Sequence, residues 1–245
     1  MLLFSSIMLD LQKIRAITID LDDTLWPIAP TIAQAEQVLQ NWLAQHAPAA
    51  AALAQQSGVR QRIRLAVEQQ WPERSHDLSF LRLQSLRQLL REAGEALEHA
   101  EPAFEVFFDA RHQVRFYEDT LTALTFLSAR LPVLALSNGN ADVHRMGLGQ
   151  YFAGSVAARH VGVAKPDRAI FEHAAQVLGQ PLDAVLHVGD DVHLDVCAAL
   201  DVGMQTVWVN RGDLAWRAGD RRAHLEVRDL LQLCAQWPQD KETVS

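Results

Sequence analysis

ITIDLDDTLW, the stretch from Ile17 to Trp26, places three carboxylates directly after an apolar, β-branched run. Acids are poor strand formers and neighbouring carboxylates repel one another, so crowding Asp20, Asp22 and Asp23 together costs stability. Either the stretch is an ordinary acidic turn, or it builds a site for a cation and a nucleophile. The rest of the sequence decides between these two interpretations.

Apolar runs of strand length recur along the chain and predict an α/β fold. They lie at residues 16–21, 133–136, 155–158, 185–188 and 206–209. Segments of helical pattern separate the later runs; these are 119–131, with Asp119 as its cap, 141–151, 167–179 and 194–200. Strands that alternate with helices indicate a parallel sheet whose right-handed crossovers cover both faces.

A helical segment interrupts this alternation after the first strand. From Pro30 to about Arg115 the apolar residues repeat at helical spacing, and Pro48, Pro72 and Pro102 divide the segment into about four helices. The sequence therefore predicts a Rossmann-like parallel sheet core formed by residues 1–28 and 117–245. A four-helix insert at 29–116 follows the first strand.

The composition is typical of a soluble globular protein, with 49% hydrophobic and 21% charged residues among 245. The net charge is 22 − 30 = −8, without a Lys/Arg-rich tract, which argues against binding to nucleic acids or anionic membranes. Two cysteines fit a reducing cytoplasm, where we expect a monomer or homodimer. The opening MLLFSSIML lacks the basic lead and cleavage site of a signal peptide and is expected to extend the first strand or pack as an arm.

Polar groups follow four of the predicted strands, and the carboxyl ends of parallel strands meet at one edge of a sheet. Asp20 and Asp190 could share a hard cation, with the main-chain carbonyl of Asp22 and waters completing an octahedron that suits Mg²⁺. Lys165 supplies a positive charge for a phosphoryl oxygen, and Ser137 and the main-chain N–H of Asn138 supply donors. Three further motifs therefore support the interpretation of the opening stretch as part of a site for a cation and a nucleophile.

These motifs resemble those of the haloacid dehalogenase-like hydrolase superfamily. The matching residues are DLDDT at 20–24, the serine of LSNGN at 137, the lysine of KPD at 165 and GDDVHLD at 189–195. They agree in type, order and rough spacing, and the helical insert resembles that superfamily's helical cap. The resemblance implies a Mg²⁺-dependent phosphatase that hydrolyses small phosphate monoesters.

The resemblance also implies a role for each residue. Asp20 would attack phosphorus to form an aspartyl-phosphate, and Asp22 would protonate the leaving oxygen and later activate water. The substrate would be held by Thr24, which also steadies the turn, and by Ser137, Asn138 and Lys165. Mg²⁺ would be bound by Asp20, Asp22 and Asp190, with Asp191 and Asp195 as further ligands or supporting partners.

Several alternatives stay open at the level of sequence. A calcium loop at 20–25 is disfavoured, since Thr24 and Leu25 stand where such a loop needs an acid or Asn and then glycine. A haloacid dehalogenase of the same fold, a non-catalytic binding protein and a mutase are the other readings. Among phosphatases, the motifs look similar to the bacterial enzymes for flavin mononucleotide and the riboflavin precursor 5-amino-6-(5-phosphoribitylamino)uracil. Relatives also accept phosphoglycolate or sugar phosphates, and the sequence does not say which arginines of the insert face a substrate.

Overall fold

The computed structural model describes residues 8–238 and confirms the predicted α/β class. The expectation for the opening residues 1–7 lies outside the described residues, which also leave out residues 239–245. Within the described range, no helix combines the length and the apolar character that crossing a bilayer requires.

The core of the described chain is a six-stranded sheet in which all neighbouring strands are parallel. The strands are β1 Ala16–Ile19, β2 Val133–Ser137, β3 Gly154–Ala157, β4 Val185–Gly189, β5 Gln205–Val209 and β6 Leu225–Val227. Their spatial order is β3-β2-β1-β4-β5-β6. The predicted parallel sheet is thus present, with a short sixth strand that the sequence pattern did not indicate.

Strand β1 lies at the point where the chain changes direction across the sheet. It pairs with β2 on one side, Ile19 opposite Ala135, and with β4 on the other, Ile19 opposite Val188. The chain builds β2 and β3 on the first side and then crosses to β4 on the second. The carboxyl ends around such a switch point are where open α/β sheets bind ligands.

Helices accompany the sheet at α6 Thr120–Ser128, α7 Ala158–Val161, α8 Arg168–Leu178, α9 Ala198–Asp201 and α10 Leu230–Cys234. The helix predicted at 141–151 is wrong: the segment forms turns and a short 3₁₀ helix, Gly149–Tyr151. Asp142 accepts bonds from the main-chain N–H groups of His144 and Arg145, and Gly147 has a φ of +73°. These features close turns, so the apolar spacing there serves packing alone.

Two other helix predictions are corrected in detail. Asp119 precedes α6 but does not cap it with its side chain; its carboxylate accepts bonds from Arg211 and from the main-chain N–H of Leu230. Asp167 does cap α8, accepting a bond from the N–H of Ala169 at 2.8 Å. The predicted helix at 194–200 is a π-helical turn, Val192–Cys197, that leads into α9.

The helical insert consists of the five α-helices that lie between β1 and α6. They are α1 Ile28–His46, α2 Pro48–Ala54, α3 Val59–Gln70, α4 Leu78–Ala93 and α5 Ala100–Arg111. Pro102 does not divide two helices; it lies in the first turn of α5, where proline is tolerated. The insert has an apolar cluster of its own, separate from the two clusters that cover the faces of the sheet. The domain bounds at 28/29 and 116/117 stay a prediction.

Candidate active site

Asp20, Lys165 and Asp195 form a buried ionic cluster at the carboxyl end of β1. The Nζ of Lys165 lies 2.5 Å from Oδ1 of Asp20 and 2.5 Å from Oδ1 of Asp195. Burial raises the pKa of Asp20 well above its usual value despite Lys165, whereas Asp195 has a lowered pKa, because Lys165 and a bond from His187 outweigh its burial. One lysine charge thus faces two carboxylates and offsets one of them.

The carboxylates of Asp20, Asp190 and Asp195 lie close enough together to hold one metal ion, with one oxygen of each within 4.8 Å of the others. Burial, with Asp195 nearby, raises the pKa of Asp190 to about 7. Thr24 is fully buried and its hydroxyl donates to Oδ1 of Asp190 at 3.0 Å. Thr24 therefore supports an acidic side chain, and the substrate contact that the resemblance implied for it stays a prediction.

Asp191 and Asp195 have different surroundings from Asp190. The side chain of Asp191 accepts bonds from the N–H groups of His193 and Leu194, both at 2.7 Å, and so begins the π-helical turn. Asp195 accepts bonds from Lys165, from the N–H of Asp191 and from the ring of buried His187, whose pKa burial lowers. The geometry thus favours Asp190 over Asp191 as a metal ligand.

The segment after β2 surrounds Lys165 from the other side. The Asn138 side chain donates to the carbonyl of Lys165 at 2.8 Å and accepts from its N–H at 2.7 Å. Asn138 thereby fixes the main chain that carries the lysine. The hydroxyl of Ser137 accepts a bond from the N–H of Gly139 at 2.9 Å. A Cβ on Gly139 would lie 2.6 Å from Oδ2 of Asp22, so the absence of a side chain lets this segment approach the opening stretch.

Asp22 faces the helical insert, where it meets Arg111, a residue that the sequence analysis missed. The Nη2 atom of Arg111 lies 2.7 Å from both carboxylate oxygens of Asp22, and Trp26 Nε1 donates to Oδ1 at 2.9 Å. The carboxylate of Asp22 is not among the three that could share a metal. Arg111 follows Phe104 and Phe107 at helical spacing, and a charge on this apolar stripe was the signal that could have identified it.

Asp23 bonds to the main chain of the insert and makes no side-chain contact with Lys165 or Arg111 in the described residues. It adopts a φ of +62°, and its carboxylate accepts a bond from the N–H of Ile28 at the start of α1. This conformation is tolerated by aspartate because a short polar side chain can bond to nearby main chain. Asp23 therefore shapes the exit from β1 into the helical insert.

A cavity of about 520 Å³ leads from Asp22 and Gly139 into the helical insert. Its walls are mostly apolar, and they include Leu39, Leu43, Ile63, Leu81, Leu86, Leu89 and Phe107. Polar side chains also line it: Asp22, Glu36, Gln61, Ser85 and Asn140, together with the arginines Arg60, Arg64, Arg82 and Arg111. Glu36 accepts bonds from Arg60 at 2.6 Å and from Arg82 at 2.5 Å. Four arginines of the insert, Arg111 among them, thus line this cavity.

Gly189 has no room for a side chain, which gives a first prediction. A Cβ there would lie 2.3 Å from Cγ of Asp195, which is held by Lys165. We expect Gly189→Ala to lower the free energy of unfolding by about 1–3 kcal/mol, the usual cost of overpacking, and to reduce activity by displacing Asp195. Chemical denaturation measures the first effect. Gly212→Ala is the control, because its Cβ would meet no atom closer than 3.6 Å; equal stability of the two variants would contradict this geometry.

Known proteins resemble this chain in sequence and in fold. A family model described as haloacid dehalogenase-like hydrolase matches residues 14–203. The chain is 35% identical over 230 residues to the 5-amino-6-(5-phospho-D-ribitylamino)uracil phosphatase YigB of Escherichia coli K12, covering 91% of this chain and 96% of that protein. It also matches a solved structure titled 2-haloacid dehalogenase from Pseudomonas syringae pv. tomato DC3000, at a TM-score of 0.86 and 36% identity over 92% of this chain and 100% of the other.

A phosphatase from Thermococcus onnurineus is a more distant neighbour. Its crystal structure matches at a TM-score of 0.65 and 23% identity, covering 91% of this chain and 97% of the other. At this identity the likeness concerns the fold alone. Phosphatases and dehalogenases are thus both among the proteins that share this architecture.

Proposed function

The chain belongs to the haloacid dehalogenase-like hydrolase family, and we propose that it is a phosphoric monoester hydrolase that uses Mg²⁺ and an aspartyl-phosphate intermediate. The observation that carries the proposal is the arrangement around β1. Asp20 lies against Lys165 in a buried acidic cluster, while Asp22 stands at the mouth of the cavity. A nucleophile, a cation for the phosphoryl group and a proton donor beside the leaving group are the parts that the reaction requires.

The proposed chemistry proceeds in two displacements at phosphorus. A carboxylate oxygen of Asp20 bonds to phosphorus as the ester oxygen departs with a proton from Asp22, which releases the alcohol. Water, deprotonated by Asp22, then attacks the aspartyl-phosphate, releasing inorganic phosphate and restoring Asp20. Lys165 and Ser137 hold phosphoryl oxygens through both steps, and the clamp of Asn138 on Lys165 fixes the lysine for this task.

The donor set at the cluster fits Mg²⁺. Carboxylate oxygens are the ligands that this hard cation prefers. Within residues 8–238, hydrogen bonds to the carboxylates of Asp20 and Asp190 reach only one oxygen of each, Oδ1, which leaves both Oδ2 atoms available. We assign the ion to Asp20 and Asp190, with the main-chain carbonyl of Asp22; Asp195 supports Lys165. When bound there, Mg²⁺ neutralises the charge that these carboxylates and a phosphoryl group accumulate.

The metal assignment predicts a pH-dependent response to Mg²⁺. Because the pKa of Asp190 is raised to about 7 in the folded protein, this group stabilises the metal-free fold at low pH and loses that contribution as the pH rises through about 7. The ion binds the ionised form, so the increase in Tm produced by Mg²⁺ is expected to grow from pH 6 to pH 8. Differential scanning fluorimetry measures it.

Two neighbouring aspartates provide the control for this prediction. Asp190→Asn is expected to abolish the Mg²⁺ response at every pH. Asp191→Asn is expected to lower Tm, since Asp191 caps the π-helical turn, but to keep the response. The reverse pattern would assign the ion to Asp191.

The cavity and the relatives support a substrate with a bulky leaving group. Its volume and apolar walls suit a group larger than a simple alkyl alcohol, and the YigB protein is named for a phosphate ester of a ribitylamino-pyrimidine. We propose that flavin mononucleotide or a riboflavin-pathway phosphate is hydrolysed here, with phosphoglycolate and sugar phosphates as weaker substrates. The test is phosphate release from a panel of these esters with Mg²⁺ and with EDTA. Absence of release from every ester would refute the phosphatase.

Filling the cavity tests where the leaving group binds. Ser85 lies on its wall in α4, and leucine there would occupy part of the space. For Ser85→Leu we expect a loss of about 10-fold or more in kcat/KM for flavin mononucleotide, corresponding to roughly 1.4 kcal/mol of lost binding, and little change for acetyl phosphate. Acetyl phosphate, an acyl phosphate with a small leaving group, is the internal control. An equal loss on both substrates would mean that the substitution disturbs the site as a whole, and no loss on either would mean that the leaving group lies elsewhere.

A second candidate function is dehalogenation, because the matched Pseudomonas syringae structure carries that title at 36% identity. Attack by Asp20 on carbon would need neither a metal ion nor a proton donor. The acidic cluster and the placement of Asp22 therefore favour phosphoryl transfer. Chloride release from 2-chloropropionate in EDTA, measured beside the ester panel, separates the two activities.

A further inference from the structure

One guanidinium joins the helical insert, the opening stretch and the segment after β2. Arg111 is the last residue of α5, and its side chain is 1% exposed. Its Nη2 contacts Asp22, and its Nε donates to Oδ1 of Asn140 at 3.0 Å. The amide of Asn140 in turn donates to the hydroxyl of Ser79 in α4. The orientation of the guanidinium plane is therefore fixed by partners on two sides.

The third nitrogen of this guanidinium has no partner in the described structure. Nη1 of Arg111 is buried and makes no hydrogen bond, although Arg111 lines the cavity. Leaving a buried donor of a charged group unsatisfied is costly, and native proteins rarely do so without a functional reason. An acceptor supplied by a ligand in the cavity removes this cost.

The position of Nη1 restricts which ligand atom that acceptor is. Nη1 shares a carbon with Nη2, which contacts Asp22, the group assigned to the ester oxygen. The phosphoryl oxygens are assigned to Lys165 and Ser137 at the edge of the sheet. The acceptor near Nη1 therefore belongs to the alcohol portion, within a bond or two of the ester oxygen.

We propose that Arg111 is a substrate-binding residue whose Nη1 donates to a hydroxyl oxygen on the carbon next to the phosphorylated carbon, while Nη2 holds Asp22 toward the ester oxygen. This inference rests on the proposed phosphatase and adds a substrate class: phosphate esters of polyols. Esters of plain alkyl alcohols lack the acceptor and leave Nη1 unsatisfied. The same guanidinium thus selects the leaving group and positions the proton donor.

The test compares two esters that differ in a single hydroxyl, propane-1,2-diol 1-phosphate and propyl phosphate. Their binding to the Asp20→Asn protein with Mg²⁺ is measured by calorimetry, which requires no turnover. We expect the diol ester to bind about 10- to 100-fold more tightly, the factor for a hydrogen bond to a charged donor. Arg111→Lys, introduced into the Asp20→Asn protein, keeps the positive charge but loses the planar guanidinium with its several donors. We expect it to abolish the preference for the diol ester and to change the affinity for propyl phosphate by no more than about threefold.

Kinetics of the active enzyme separate binding from a merely structural role. We expect Arg111→Lys to lower kcat/KM for the diol ester about 100-fold and that for p-nitrophenyl phosphate only slightly, since nitrophenolate leaves without help from Asp22. An equal loss on all esters, or an equal affinity of Asp20→Asn for the two propyl esters, would overturn the proposal. The latter comparison stands even if Arg111→Lys fails to fold. Failure of the phosphatase itself appears separately, as absence of phosphate release from the wild-type protein.

Discussion

Asp20→Asn is expected to reduce phosphate release by at least about 10⁴-fold, because a carboxamide cannot form the aspartyl-phosphate through which the reaction is proposed to pass. The amide preserves the size of the side chain, so loss of the fold does not explain such a result. Brief exposure of the wild-type protein to a radiolabelled ester, followed by acid quenching, is expected to trap label on the protein. The variant is expected to trap none.

The stability of this variant is expected to move in the opposite direction from its activity. Burial raises the pKa of Asp20 well above its usual value, so in the metal-free protein the group stabilises the fold at low pH and loses that contribution as the pH rises. A neutral amide avoids this loss, and Lys165 keeps its contact with Asp195. At pH 8 without metal, Tm of Asp20→Asn is therefore expected to equal or exceed that of the wild type.

Asp23→Asn is the matched control for Asp20→Asn. It removes a carboxylate from the same stretch, three residues along, and asparagine tolerates the positive φ of 62° at that position. Its amide oxygen can accept the bond from the N–H of Ile28 in the same way. We expect near-normal turnover; comparable losses in the two variants would mean that the acidic stretch acts through its fold or total charge, and not through a nucleophile at residue 20.

The sequence could predict which residues lie at the carboxyl edge of the sheet, because this depends mainly on which residues come after each strand in the chain. Three of the four motifs lie at or directly after the end of a strand, and parallel strands bring their carboxyl ends together whatever the lengths of the connections between them. Asp20, Ser137 and Asp190 could therefore be assigned to one edge before any distance was known. Lys165 is the exception, since α7 lies between it and β3, and its assignment rested on the KPD motif.

Contacts between the insert and the sheet were beyond this reasoning. Arg111 reaches Asp22 across 89 residues of chain, and helical periodicity reports which side is buried without saying against what. The failed helix at 141–151 has a related cause. Its apolar residues pack on the core from turns, and Asp142 and Gly147 stop the helix that their spacing suggested. Pattern predicts burial, but tertiary contacts decide the conformation there.

Lys165→Met is the second variant with a large expected effect, in this case on stability as well as activity. Lys165 is 4% exposed and lies between Asp20 and Asp195, so methionine leaves two buried carboxylates without a counter-charge. Removing one partner of a buried ion pair typically costs about 3–5 kcal/mol. We expect a loss of that order in the free energy of unfolding at pH 8, measured by urea denaturation without metal, and a loss of at least about 10²-fold in activity.

The pH dependence of this loss identifies its electrostatic cause. In the wild type the pKa of Asp195 is lowered, so the group contributes stability above its unfolded pKa and loses it only in strong acid; without Lys165 that contribution disappears. Both carboxyl groups of Lys165→Met then take up protons on folding as the pH falls, and the gap in stability from the wild type is expected to narrow between pH 8 and pH 5. Lys13→Met is the control, because Lys13 is 70% exposed at the surface beside Asp10. A gap in stability that stayed constant with pH would assign the loss to packing around the methionine. It would not then come from the two buried carboxylates that lose their counter-charge.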